Sequence, residues 1–325
     1  LVRELKVPHI TPKVAPQRSI KALACAPGSK LLGVARYGRV ELFSAPKGEI
    51  LRTLSGLRGS VNAVVFSRDG QYLFASGGLA GVSGETRQWK VADGSLVRVF
   101  EGHRDAIYAL ALSPDGRTLA TGSYDHKIKL WNAADGREIR TLSGHNGGIF
   151  GLAFRPDGRI LASASADRTV KLWDAATGER RDTLSQSLKE AYAVAFSPSG
   201  QRLVAGGVDN RIRVWQVSAN AAEGTNPILH SRFAHEGAVL NLAFSPDGAA
   251  LVSSADDATV KLWDAAGMKE LRLLEKQSDW APGLAFAPDE HILIVGRMDG
   301  TLGFYDRTTG QAMAMPSRTL TQAQP

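Results

Sequence analysis

Five aspartates (Asp125, Asp167, Asp209, Asp257, Asp299) and three histidines (His103, His145, His235) are the residues of this 325-residue chain best suited to chemistry. Paired carboxylates do acid and base work in hydrolysis, and converging imidazoles hold transition metals. Their spacing argues against both. The aspartates recur at intervals of 42, 42, 48 and 42 residues, and His103 and His145 lie 42 apart. One position repeated in successive units is the mark of a structural role, whereas a catalytic pair would break that symmetry. Each histidine also travels with its own Asp and Trp, so a shared metal would need three separate units to converge on one point. No catalytic residue, metal or cofactor is expected. The chain has no C-x-x-C, C-x-x-C-H, H-E-x-x-H, Walker or G-x-S-x-G motif. Gly77, Gly78, Gly81 and Gly84 sit between two strand-like runs, where no helix N-terminus awaits a phosphate.

The spacing belongs to a repeat of about forty residues. Its clearest unit runs from His103 through Ser113-Pro114-Asp115-Gly116 and Tyr124-Asp125 to Trp131-Asn132, and it returns from His145 and from His235. Each unit holds short apolar runs, such as Ile107 to Leu112, cut by turn residues. Lys127 to Trp131 alternates polar and apolar, the pattern of a half-buried strand. Helical spacing is absent. Four antiparallel strands repeated radially describe a propeller blade. The expected fold is therefore all-β: one domain over 1–316, with seven four-stranded blades at 19–56, 57–102, 103–144, 145–187, 188–234, 235–276 and 277–316. Segment 1–18 is expected to hold a closing strand at Val2 to Val7, in preference to Gln311 to Met315, and 317–325 is a tail.

These motifs together resemble the WD-repeat β-propellers, over about nine-tenths of the chain. The resemblance implies a hydrogen-bonded tetrad of loop His, strand Ser or Thr, turn Asp and Trp. It maps onto His103, Thr121, Asp125 and Trp131; onto His145, Ser163, Asp167 and Trp173; and onto His235, Ser253, Asp257 and Trp263. The fifth unit keeps only Asp209 and Trp215, with Ser187 and Ala205 in the other places, and the seventh keeps Asp299. Units three, four and six are then the most rigid, and Asp209→Asn should be milder than Trp173→Ala because its network is incomplete. The Gly77 to Glu85 loop is similar to bacterial propellers attached to c-type cytochrome modules.

Composition adds limits. No run of about twenty apolar residues is present, so no membrane partner is expected. A formal charge of +7 invites a nucleic-acid reading, but Lys127, Lys129, Arg137, Arg140, Lys171, Arg181, Arg213 and Lys261 are scattered. Placed on the third and fourth strands of blades, such charges keep edges from pairing with other chains. Cys25 is the sole cysteine and reads as buried packing. The chain starts at Leu1, as expected of a piece of a longer protein. Its compartment is left open between cytoplasmic and, after loss of a signal, extracytoplasmic.

The resemblance also implies where a partner sits: the narrow face, built by the third and fifth residues after each loop His and by the residue before each turn Asp. Transfer of those positions yields Ser19, Lys21 and Arg36 from the first unit and Ser60 and Asn62 from the second. Later units yield Tyr108, Tyr124, Phe150, Glu190, Tyr192, Leu240, Asp256, Trp280, Pro282 and Met298. The aromatics are read as anchors, with Arg36, Glu190 and Asp256 as a polar margin. The expected function is a non-enzymatic, monomeric scaffold for a peptide or protein segment. The alternatives are an accessory module of a redox or hydrolytic enzyme, or a sensor domain of a signalling or defence protein.

Overall fold

The computed structural model describes residues 18–44, 48–187, 189–287 and 291–313. Every element among them is a strand. The sheets follow one another around a ring, each antiparallel and in sequence order. Within a unit the innermost strand alternates buried and half-buried residues, as in Ile107–Leu112. The second strand is wholly buried in Ile160–Ser165, while the outermost, Glu270–Leu273, is wholly exposed. This gradient explains the composition of the strands. Central strands meet a neighbouring sheet on both faces and need small or branched apolar residues, whereas the outer strand meets water.

The seven sequence units occupy six sheets, which corrects the expectation of seven separate blades. The first two units share one six-stranded sheet because a single long strand, Glu49–Phe66, runs through their boundary. Leu31–Ser44 pairs with Ala22–Cys25 through its first half and with Glu49–Phe66 through its second. Glu49–Phe66 then continues onto Tyr72–Leu79. The shared sheet is folded on itself, and Ala35, Val40, Leu42 and Leu54 of its first part pack with Leu73, Ala75 and Trp89 of its second. Gly77 and Gly78 allow the close approach at the fold: a Cβ at Gly77 would lie 2.0 Å from the Ser60 carbonyl oxygen. The glycine-rich insertion is no loose loop. It lengthens the Tyr72–Leu79 and Ser83–Lys90 hairpin, and its tip is tied to the third unit where Gly81 N–H donates to Asp105 Oδ1 at 2.7 Å.

The remaining sheets span residues 107–142, 149–184, 191–233 and 239–273, with a three-stranded sheet over 283–306. Apolar clusters join each neighbouring pair, and Ile20, Leu23, Leu32 and Val34 of the first sheet close the ring against Ala285, Ile294 and Phe304 of the last. The expected closing strand at Val2 to Val7 lies outside the described residues. Beside the outer strand Leu302–Asp306, Ala312 bridges Tyr305, and Met313 N–H donates to the Phe304 carbonyl at 2.7 Å. Cys25 is half-buried and packs on the closing cluster.

Candidate interaction surface

Three tetrads form, two of them as the repeat register predicts. In the third unit, Trp131 Nε1–H donates to Thr121 Oγ1 at 2.8 Å, and Thr121 Oγ1 meets His103 Nε2 at 2.8 Å. His103 Nδ1 faces Asp125 Oδ2 at 2.9 Å. A proton on Nδ1 satisfies every member at once: the Trp donates to the hydroxyl, the hydroxyl to Nε2, and Nδ1–H to the carboxylate. The fourth unit repeats this through Trp173, Ser163, His145 and Asp167 at 2.8, 2.7 and 2.7 Å. The sixth differs. His235 Nδ1 is 2.6 Å from Thr259 Oγ1 and 3.7 Å from Asp257 Oδ2, so Thr259 relays between them and donates to Asp257 Oδ1 at 2.6 Å.

The turn aspartates do backbone work. Asp125 Oδ1 accepts Lys127 N–H, Asp167 Oδ1 accepts Thr169 N–H, and Asp257 Oδ1 accepts Thr259 N–H, each pinning the same tight turn. Burial pulls the Asp125 carboxyl upward, but hydrogen bonds from His103, Arg104 and Lys127 outweigh it and hold the group at about 2. Among the described residues no group of His, Cys, Asp and Glu could hold a metal ion.

In the fifth unit Asp209 is not left in an incomplete network, which removes the reason to expect a mild Asp209→Asn. Its Oδ2 lies 2.7 Å from Arg213 Nη2, and both side chains are almost wholly buried. Arg213 Nη1 donates to Oγ of Ser187, the residue at the histidine's place, at 3.4 Å, and Trp215 Nε1–H turns to Gln186 Oε1 at 3.1 Å. Arg213 and Lys171, expected on solvated edges, are thus 4% and 5% exposed. Other basic side chains are edge charges as expected, with Lys129 and Lys261 paired to Glu138 and Glu270 of the outer strands. In the seventh unit, Gln277, Arg297 and Tyr305 replace the tetrad, with Arg297 Nη2 donating to Tyr305 Oη at 2.7 Å.

His235 gives the fold a pH dependence. Burial pushes its imidazole from 6.5 down to about 4, with the Asp257 charge opposing in part. The folded-state value lies below the unfolded one, so protonation favours unfolding. The stability from neutral His235 is complete above about pH 6.5 and is lost as pH falls toward 4, on the order of 3 kcal/mol at about 1.4 per unit. The melting temperature should drop between pH 7 and 4.5, and less steeply in His235→Asn. A flat wild-type profile over that range would mean that His235 is not buried neutral.

The innermost strands open on a cavity of about 290 Å³ at the mouth of the central channel. Tyr108, Phe150 and Tyr192 line one side, and Leu240 and Pro282 continue it. Lys21 and Asn62 complete the circle, so the same position of all seven units converges there. Trp280 and Met298 also border the cavity. The aromatics form one continuous arc, with Tyr108 to Phe150 at 5.3 Å and Phe150 to Tyr192 at 5.2 Å, both edge to face. Tyr124 joins the arc at 6.2 Å from both Tyr108 and Phe150. Tyr124 and Trp280 are half exposed.

The margin is less simple than expected. The Tyr192 phenol is pushed up by burial and then by the Glu190 and Asp256 charges, which places both carboxylates near the arc. Asp256 Oδ1 also accepts Ala238 N–H at 2.6 Å. Arg36 does not offer its charge to the rim. Its guanidinium is held by Glu41 and by the Arg18 and Gly300 carbonyls, where the first and last sheets meet. Lys21 and Asn62, which the register places on this face but which carry no anchor or margin role in the sequence, also line the cavity. Burial lowers the Lys21 amine, and Asn62 Nδ2 donates to the Ile107 carbonyl at 2.9 Å.

A ring of antiparallel sheets with His–Ser/Thr–Trp networks defines a WD-type β-propeller. Residues 48–90 and 94–132 match the family described as "WD domain, G-beta repeat". The family described as "IFT122 first beta-propeller" matches residues 124–322, and the chain belongs to it. The chain is 31% identical over 118 residues to Periodic tryptophan protein 2 of Saccharomyces cerevisiae, covering 36% of this chain and 12% of that protein. It is 34% identical over 77 residues to eukaryotic translation initiation factor 3 subunit I of Aspergillus niger, covering 24% and 22% of the two chains. It is 32% identical over 82 residues to the guanine nucleotide-binding protein subunit beta of Schizosaccharomyces pombe, covering 25% of each. The chain thus spans a quarter or less of these relatives' own lengths. All three are fungal, and they lend no support to the kinship with bacterial cytochrome-attached propellers.

Proposed function

We propose that this propeller is a non-enzymatic interaction module that takes a peptide or protein segment at the channel mouth. The observation behind this reading is the convergence of all seven equivalent positions on one cavity, with four aromatic rings in contact and Trp280 beside them. Rigid aromatics supply large contact area at low conformational cost, and they dominate binding energies. Tyr124 and Trp280 keep half their surface in solvent although each could have packed inward, which suits contact with a partner. Two relatives are by name subunits, of an initiation factor and of a guanine nucleotide-binding protein. A role within a protein assembly is in keeping with that.

A nucleic-acid role has less behind it, since Lys129 and Lys261 pair with outer-strand carboxylates and Arg213 is buried with Asp209. Peptides selected on the folded protein from a random library should slow amide hydrogen exchange at 104–108, 148–150 and 190–192. Protection confined to the outer strands would reject the mouth as the site.

A further inference from the structure

A second and larger cavity, of about 650 Å³, lies between the first sheet and the sheet over 107–142. It is reached at the ends of the strands remote from the channel mouth, beside the Ser67–Gly70 and Ser113–Gly116 turns. Two of the clefts between other sheets are bridged by arginine. Arg202 Nη1 donates to the Ala266 carbonyl at 2.9 Å across one, and Arg307 Nη2 pairs with Asp247 Oδ2 at 2.9 Å across another. Here Tyr72 stands at the place of Arg202, and Ala133 at that of Arg307. One contact, from Arg68 Nη1 to the Pro114 carbonyl at 3.3 Å, crosses the outer rim.

The floor of this cleft breaks the repeat. Gln88 is 5% exposed, at a position held elsewhere by Leu42, Leu130, Leu172, Val214, Leu262 and Phe304. Its side chain makes no hydrogen bond among the described residues, and its Oε1 is buried without a partner. Its register neighbour across the sheet is Arg98, whose Nη1 is also buried without a partner. A buried carboxamide left unbonded is destabilising against an apolar residue of similar shape. Six units avoid that cost with an apolar side chain, and this one has an amide and a guanidinium side by side at the base of an open cleft.

We propose that the cleft is a binding site for an organic carboxylate with a compact apolar body. The carboxylate lies on the Arg98 guanidinium and the Gln88 amide N–H, which a half-turn of the carboxamide presents, and the body rests on Phe74, Val97 and Ala133. Arginine suits a carboxylate because its planar fork donates two parallel hydrogen bonds. The acids of the cleft, Asp69 and Asp115, stand at its exposed rim with their Oδ1 atoms taken by turn hydroxyls and N–H groups. They do not neutralise Arg98 at the floor. The cavity volume falls within the range of small-molecule sites.

The same chemistry is offered by a free monocarboxylate or by the C-terminus of a chain, so 3-phenylpropionate and N-acetyl-alanyl-phenylalanine are the two probes. 3-Phenylpropanamide is the neutral control. Thermal shift and titration calorimetry on wild type should show binding of at least one acid, with the amide weaker by about tenfold or more. Gln88→Leu should melt higher than wild type without ligand yet gain nothing from the acid, and Arg98→Gln should lose the preference for acid over amide. Tighter binding of the peptide identifies a chain terminus as the ligand, and tighter binding of the small acid a free carboxylate. The Tyr192→Ala/Trp280→Ala protein should bind the acid as wild type does, which separates this site from the mouth. No response of wild type to either acid, or an equal response of Gln88→Leu, overturns the proposal.

Discussion

Trp173→Ala should destabilise the protein by on the order of 3–5 kcal/mol, enough to loosen the sheet over 149–184. The indole is 2% exposed and packs with Ile149, Leu152, Leu161 and residues of the preceding sheet. It also meets the His145 ring edge to face at 5.9 Å and donates to Ser163 Oγ at 2.8 Å. Truncation removes a large buried volume and leaves the Ser163 hydroxyl without its donor. Trp173→Phe keeps most of the packing and loses only that hydrogen bond, a deficit of about 1 kcal/mol. Asp209→Asn belongs with the severe changes, because it strips Arg213 of its buried counter-charge at a cost of roughly 3 kcal/mol. Denaturant melts of the three variants give the comparison. If Trp173→Ala and Trp173→Phe melt together, packing is not what Trp173 contributes. If Asp209→Asn melts with wild type, the Arg213 pair has no energetic weight.

These values trace what the sequence makes legible. The turn aspartates, the Trp positions and the strand order follow from a period, because each unit must bury the same faces against its neighbours. Departures from the repeat are governed by single side chains, and the period says nothing of those. Thr259 slips between His235 and Asp257 because its hydroxyl can both accept from an imidazole and donate to a carboxylate. Thr169 occupies the matching position in the fourth unit, yet His145 still reaches Asp167 directly. Nothing in the local sequence separates these outcomes. Arg213 reads as an edge charge, and only the structure shows it buried against Asp209. The junction of the first two units is decided by one strand, Glu49–Phe66, that runs past Gly56 and Gly59, so turn residues there mislead.

The mouth was legible for a different reason. Residues at one register position must lie on one circle if the ring closes, whatever their chemistry. The aromatic positions Tyr108, Phe150, Tyr192 and Trp280 therefore line one cavity, together with Lys21 and Asn62. Arg36 fails because its place in the first unit is also the seam of the ring. Backbone carbonyls of Arg18 and Gly300 face it there, and a cation satisfies them. A charge spent on closing the ring is no longer free to set the orientation of a ligand.

Tyr192→Ala/Trp280→Ala should cut affinity for mouth-selected peptides by about a thousandfold, on roughly 2 kcal/mol for each aromatic anchor. The two side chains border the same cavity from separate units, so no single local rearrangement replaces both. The fold should survive. Trp280 is 49% exposed, and Tyr192 is half-buried outside the apolar clusters that join the sheets. Their removal widens the mouth without opening a closed core. Melting curves that overlay wild type within a few degrees would establish this, and calorimetric titration with the selected peptides would then read binding alone. Single variants divide the effect: Tyr192 contacts Phe150 at 5.2 Å and helps hold the arc, whereas Trp280 acts through its own exposed face. Tyr192→Phe should keep most of the affinity, since the ring contacts need no hydroxyl, while Trp280→Phe should lose area and weaken binding. If the double variant binds the same peptides with wild-type affinity, the aromatic arc is internal packing and the partner surface lies elsewhere on the ring.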